Sequence, residues 1–263
     1  MVIIDQERCI GCATCVNDCI QNAISLHEGC ACVEDDCFKC GHCVAICPQN
    51  AVSIANYSDP CIDYDPATFD ISTSTLLNAL KFRRSIRSFR PEPVSMEHLH
   101  VLMEAASHMP TAKNTQSCRF IVIQDSLAGF KDLIWNTLRL ALINGDEVPL
   151  DEDTLDRFLF LRENEPSQDC LFRNAPAVLC IEASDPLDAG LAAAAIEMVG
   201  ATLGLGFLYN GYLRRVLAAD EVALAYLDSS PEEKPLQVCM LVGYPAVQYC
   251  RTAPRRNPSV VLR

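Results

Sequence analysis

The sequence predicts an α+β protein built as two domains: a small cysteine-rich one at 1–57 and a larger one at 73–263, joined by a linker at 58–72. Three observations predict this. Eight of the 16 cysteines fall into two runs of identical spacing before residue 48. Beyond residue 72, helix-like and strand-like segments follow in mixed order, without the regular alternation that marks a doubly wound sheet. Between them, residues 58–70 carry Pro60, Pro66 and four aspartates with no apolar period, the composition of a connector.

Cys9, Cys12, Cys15 and Cys19 form one C-x2-C-x2-C-x3-C run, and Cys37, Cys40, Cys43 and Cys47 form another. Short loops of this spacing let three thiolates converge on three corners of an iron–sulfur cube, while the fourth reaches the other cluster. One [4Fe-4S] cluster is therefore expected on Cys9, Cys12, Cys15 and Cys47, and a second on Cys37, Cys40, Cys43 and Cys19. A shift of 28 positions lays Cys9 on Cys37 and the segment QNAIS (21–25) on QNAVS (49–53). Two interlocked clusters call for duplicated halves of this kind. Zinc sites use paired C-x2-C knuckles instead, and disulfides belong to small secreted frameworks. Residues 1–57 resemble the bacterial two-cluster ferredoxins. Ile20 stands after Cys19, where Pro48 follows Cys47.

A chain of 263 residues, half of them apolar, holds such a domain plus one full-sized core. Its net charge of −13 argues against a nucleic-acid partner. The acid is uneven: residues 1–70 hold 2 basic and 11 acidic side chains, the remainder 19 and 23. An acidic cluster domain suits a basic docking partner, although surface acid also serves solubility. Cys180 and Cys239 lie in apolar strand-like runs and read as small core residues. Cys30 and Cys32 fit neither motif and read as loop or packing residues. This cysteine usage predicts a reducing, cytoplasmic setting. No targeting segment is expected from the short, acidic start at 1–5. The stretch 189–208 carries one charge, Glu197, and is long enough to raise a membrane span. Its Ala and Gly content, directly after Asp188, predicts a buried helix and no membrane partner.

The elements of the larger domain follow in order. Leu76, Leu77 and Leu80 share one face of a helix from residue 75. Pro91 and Pro93 interrupt regular structure after a basic stretch. Ser95 is placed to cap a helix over Met96–Ser107. Strands are expected at 119–124, 177–181 and 236–242. Helices are expected at 127–143, 154–161, 186–204 and 212–217.

Clusters move single electrons, so the larger domain is expected to hold a redox partner. Gly204, Gly206 and Gly211 do not make the dinucleotide fingerprint G-x-G-x-x-G, and they follow a helix rather than a strand. Arg83, Arg84, Ser85 and Arg87 offer guanidiniums and a hydroxyl in one short segment, a set able to grip phosphate and ring oxygens. The segments RRSIRSF (83–89), MPTAKNTQSCRF (109–120), NAPAVLCIEA (174–183), LGLGFLYNGYLRRVL (203–217), LVGYPA (241–246) and PRR (254–256) occur in this order. Together they resemble the FMN-dependent nitroreductase family over 73–263, whose fold is an α/β sandwich flavin domain that dimerises.

That resemblance implies FMN held by Arg83, Arg84, Ser85 and Arg87 at phosphate, ribityl chain and ring edge. It implies Pro110, Thr111, Ala112 and Asn114 touching the flavin from a partner subunit. Asn210 and Gly211 match the loop beside the flavin ring, and Arg255 and Arg256 a basic pair that neutralises the phosphate. Ser117 and Cys118 stand where the family often has Pro-Trp, and Asn210 where some members carry an acid. It also implies a homodimer with shared flavin sites. The resulting expectation is an iron–sulfur flavoprotein oxidoreductase. Electrons from a low-potential donor such as reduced ferredoxin pass through two [4Fe-4S] clusters to FMN, then to a small organic acceptor of nitroaromatic, quinone or enone type. The flavin carries the chemistry, so no catalytic side chain is assigned; His98, His100 and His108 read as helix-face or surface residues. The alternative is an electron-transfer adaptor whose acceptor is a partner protein.

Overall fold

The computed structural model describes residues 1–34 and 36–263. The chain divides into two compact units. One is Met1–Asp70 with Thr111–Gln116; the other is Ile71–Pro110 with Ser117–Arg263.

The first unit carries the 28-residue repeat into three dimensions. Each half is a strand, a short helix and a strand: β1 (Val2–Ile4), α1 (Thr14–Asp18) and β2 (Ile24–His27), then β3 (Cys30–Val33), α2 (His42–Ala45) and β4 (Val52–Ile54). The halves interlock, because β1 pairs antiparallel with β4 and β2 with β3. Even the left-handed backbone positions repeat: Gly11 with Lys39, Ala13 with Gly41, Asn22 with Asn50. Gly11 is obligatory, since a Cβ there lies 2.1 Å from the Gly29 carbonyl oxygen. A small core of Val2, Ile24, Ala31 and Val52 closes around Cys15 and Cys43. Cys30 and Cys32 sit in β3, a strand rather than a loop.

The second unit is a three-layer sandwich. Its sheet runs β5 (Arg119–Ile123), β6 (Ala177–Glu182), β8 (Leu236–Gly243), β7 (Gly206–Tyr209), with all neighbours antiparallel. All six residues of β6 are buried, so its side chains feed both layers. Ala177, Leu179 and Ile181 pack with α4 (Met96–Ser107) and α7 (Pro186–Thr202). Val178 and Cys180 pack with α5 (Leu127–Asn144), α6 (Glu152–Asn164), α8 (Gly211–Ala219) and α9 (Glu221–Tyr226). Cys180 lies opposite Cys239 on β8, and both are core thiols as expected. The N-cap of α4 is Ser95, whose hydroxyl accepts from the His98 N–H.

The long apolar helix α7 is a core helix. Ala189, Ala192, Ala193 and Ile196 are buried, and Gly200 lets the Phe207 ring lie against the helix. Among the described residues no helix is long and apolar enough to cross a membrane. Its one buried acid outside the first turn, Glu197, has a partner far away in sequence. By contrast α3 (Thr73–Phe82) buries no residue, and Leu76, Leu77 and Leu80 are all exposed.

Candidate functional site

In the first unit the eight motif thiols gather into two groups of four. Cys9, Cys12, Cys15 and Cys47 line one cavity with Ile4, Ala31 and Val52. Cys19, Cys37, Cys40 and Cys43 line another with Ile24 and Phe38. Each group takes three cysteines from one run and the last from the other, which follows from the crossed pairing of the halves. All sixteen cysteines are free thiols. Among the described residues no group of three or more His, Cys, Asp or Glu could hold a single metal ion.

The backbone aims donors at sulfur. The N–H of Ala31 lies 3.4 Å from Cys9 Sγ, that of Lys39 3.4 Å from Cys37 Sγ, and that of Ala51 3.3 Å from Cys47 Sγ. The Thr14 hydroxyl donates to Cys12 Sγ at 3.3 Å. Donors to the charged form lower a pKa. The Ala31 and Gly11 N–H groups thus hold the Cys9 thiol below its ordinary range, and the Thr14 hydroxyl does so for Cys12. Burial acts in the opposite sense on Cys15 and pushes Cys43 up to about 11. A cationic iron centre among these groups offsets the burial cost by stabilising thiolates, so the donor set fits iron–sulfur clusters.

In the second unit the basic segment runs beside the edge strand β7. Ser85 bridges Phe207, and the Ile86 N–H donates to the Phe207 carbonyl at 2.9 Å. Gly206 makes the approach possible, because a Cβ there meets Ile86 Cγ1 at 2.4 Å. Arg83 reaches into the core side of α7, where its Nη1 donates to Glu197 Oε1 at 2.7 Å. Tyr209 also bonds Glu197; partial burial and that carboxylate push its hydroxyl up to about 12. Arg84 donates through Nη1 to the Arg83 carbonyl, while its Nη2 is buried without a partner. A buried guanidinium N–H left unpaired is a donor awaiting an acceptor, as a phosphate or flavin oxygen provides.

Arg87, Asn210 and Gly211 come together on a cavity of about 380 Å³, with Cys170, Arg173, Tyr212, Arg214 and Arg215. The Asn210 side chain is committed to structure: its oxygen caps α8 at the Leu213 N–H, and its amide donates to the Leu171 carbonyl. Open space lies beside Gly211, where an added Cβ meets nothing within 4 Å. That room fits a flat cofactor. Arg255 and Arg256 lie apart, on an exposed tail without regular structure, and bond to no described residue. Thr111, Ala112 and Asn114 belong to the first unit. There the Asn114 amide donates to the Phe38 and Lys39 carbonyls at 3.3 and 3.0 Å. Pro110 closes the preceding segment of the second unit.

Sequence reasoning missed Glu197 as a partner of Arg83, and it missed Cys170, Arg173 and Tyr212 on the cavity. The signal for the first was present: one acid in an otherwise apolar helix needs a cation to remain buried.

Comparison with known proteins agrees with this architecture. Residues 80–244 match the nitroreductase family, and residues 2–25 match the 4Fe-4S binding domain. No curated protein gives a significant match. Among solved structures, a nitroreductase with bound FMN from Desulfitobacterium hafniense is 22% identical, covering 72% of this chain and 98% of its own, with TM-score 0.56. A nitroreductase with bound FMN from Bacteroides fragilis is 17% identical, covering 71% and 98%, with TM-score 0.54. An FMN-dependent nitroreductase from Clostridium difficile is 22% identical, covering 73% and 100%, with TM-score 0.53. These likenesses are of fold. With the family match spanning well over half its length, and a 4Fe-4S segment ahead of it, the chain belongs to the nitroreductase family.

Proposed function

We propose that this protein is an iron–sulfur flavoprotein oxidoreductase that passes electrons from a low-potential donor to a small organic acceptor. The observation that carries the proposal is the pair of four-cysteine cavities preceding a nitroreductase-type domain. Cys9, Cys12, Cys15 and Cys47 hold one [4Fe-4S] cluster, and Cys19, Cys37, Cys40 and Cys43 hold the other. Bound clusters supply one-electron carriage, and bound FMN supplies an acceptor of single electrons that releases them in pairs.

The protein's own groups do the holding. N–H groups of Ala31, Lys39 and Ala51 stabilise sulfur charge. Arg84 offers its free Nη2 to the FMN, and Arg83, Ser85 and Arg87 complete the basic segment. One of Arg255 and Arg256, brought in from the exposed tail, neutralises the phosphate. Pro110, Thr111, Ala112 and Asn114 face a flavin of the partner subunit. The Gly211 N–H stands in the first turn of α8, where backbone dipoles favour negative charge on a neighbouring ring, whereas the Asn210 N–H is spent on the Cys239 carbonyl at 2.8 Å. A homodimer with shared flavin sites is supported by the exposed leucines of α3 and by Val260, Val261 and Leu262 on the tail.

Each turnover delivers two electrons and two protons. A nitro group becomes nitroso plus water, a quinone becomes a hydroquinone, or an enone becomes a saturated ketone. The acidic excess of residues 1–70 favours a second reading, an adaptor that hands electrons to a basic protein partner. The cavity beside Arg87 favours a small molecule. The test is anaerobic analysis of the reconstituted protein. About eight irons, about eight acid-labile sulfides and about one FMN per chain are expected. Zinc, or one cluster's worth of iron, defeats the assignment.

A further inference from the structure

A second cavity, of about 390 Å³, adjoins the first and shares Arg87, Cys170, Arg173 and Tyr212 with it. Three guanidiniums line it: Arg87, Arg157 and Arg173. None of them bonds to any described residue. Its one lining acid, Asp169, is already spent. The carboxylate pairs with Lys131 Nζ at 3.0 Å and accepts the N–H groups of Phe172 and Asn174. All three are exposed, so water screens their charge until an anion displaces it. Two aromatic residues, Phe158 and Tyr212, line the same cavity. The Phe158 and Tyr212 rings meet edge to face with centroids 5.4 Å apart, and the Arg215 guanidinium lies 5.2 Å over the Tyr212 ring. Arginines and aromatic rings lining one cavity suit a flat conjugated body that bears an anionic oxygen pair.

We propose that this cavity is the acceptor site of the second unit and selects a conjugated carboxylate, Arg157 and Arg173 taking the carboxylate and the Phe158–Tyr212 wall the ring. The assignment rests on the function proposed above and narrows it. Arg87 belongs to the basic segment assigned to the flavin, and both it and Arg173 line the two cavities; Arg157 lines this cavity alone and sets the preference for charge.

The test uses the FMN-loaded full chain, with benzoate as a probe that cannot be reduced and benzamide as its neutral counterpart, both followed by calorimetry. Benzoate is expected to bind roughly tenfold or more tightly than benzamide. Arg157→Gln, at the arginine that lines this cavity alone, is expected to weaken benzoate roughly tenfold to a hundredfold while leaving benzamide and FMN binding unchanged; Arg173→Gln, whose residue lines both cavities, should weaken benzoate by a similar factor. In turnover Arg157→Gln should raise KM for 4-nitrobenzoate but not for 4-nitrobenzamide, with kcat kept. Equal binding of the two probes, or benzoate binding untouched in both variants, overturns the assignment. Loss of FMN by Arg157→Gln overturns it too, because the cavity then belongs to the flavin's own phosphate. Failure of the broader reading looks different: benzoate still binds selectively, yet no acceptor is reduced by electrons entering through the clusters.

Discussion

Arg83→Ala tests the most consequential pairing in the flavin unit. Its guanidinium serves two masters, the Glu197 carboxylate within the chain and the FMN assigned to the same segment. Glu197 is buried, its side chain 7% exposed, and Arg83 is 30% exposed. Removing one partner of a fully buried pair costs about 3–5 kcal/mol, because the remaining charge stays without compensation. Solvent around Arg83 reduces this, so about 2–3 kcal/mol is expected here. For a unit of this size that is about 5–10 °C in melting temperature. The assay is built into the chain. Trp135 is its single tryptophan, buried in α5, so tryptophan fluorescence reports the flavin unit alone. Arg83→Ala should lower the Trp135-monitored transition, and Arg83→Met/Glu197→Gln should recover much of the loss by removing both charges. FMN affinity should fall about tenfold to a hundredfold in both variants. If Arg83→Ala melts with the wild type, the ion pair contributes nothing and the reasoning fails. If the double variant melts no higher than Arg83→Ala, the loss came from packing rather than from stranded charge.

Three further outcomes follow from local geometry. Tyr209 holds its proton more tightly folded than unfolded, since its hydroxyl is raised to about 12 from an ordinary value near ~10; this stability is full below about pH 10 and is lost as pH rises toward about 12. Tyr209→Phe should flatten that alkaline fall in the Trp135 signal, and an unchanged slope contradicts the shift. Gly11→Ala places a Cβ 2.1 Å from the Gly29 carbonyl at φ +62°, so the first unit should lose about 2 kcal/mol or more and release iron to a chelator faster; wild-type iron retention argues against it. Arg119→Ala strands Glu182, which is 1% exposed and also accepts from Ser229, and with Arg119 itself 36% exposed should cost about 2 kcal/mol in the same fluorescence transition; a change under about 0.5 kcal/mol refutes that role.

What sequence revealed and what it hid divide along a physical line. The cysteine unit was legible because its information is local and doubled: spacing, turns and left-handed positions all recur at one offset. The helix over Met96–Ser107 was legible because a hydroxyl cap and an apolar period mark it within a dozen residues. Strand β7 was not, since Gly206–Tyr209 is four residues with a glycine at its start and takes its structure from β8. Helix α9 was hidden for a similar reason, with six residues and Ala223 alone buried. The apolar face of α3 was read correctly, but its leucines remain exposed on this chain. The site followed the same rule. The basic segment could be found by eye, whereas the pairing of Arg83 with Glu197 spans 114 positions and exists only after the sheet has brought α7 beside it. Asp169 looked like one acid among many until its contacts with Lys131 and two backbone N–H groups left the neighbouring arginines uncompensated.

The central claim is that electrons reach the flavin through the cysteine unit. The direct measurement is anaerobic stopped-flow reduction of FMN by a low-potential one-electron donor such as reduced ferredoxin. It compares the wild-type chain with a Cys12→Ala/Cys40→Ala variant that removes one ligand from each four-cysteine group. A tethered carrier acts at an effective concentration near ~1 mM, so at micromolar donor the wild type should reduce its flavin on the order of a hundredfold faster. Acceptor reduction by chemically pre-reduced flavin should be the same in both. Equal rates of flavin reduction in wild type and variant contradict the account and leave the cysteine unit with a role other than electron entry.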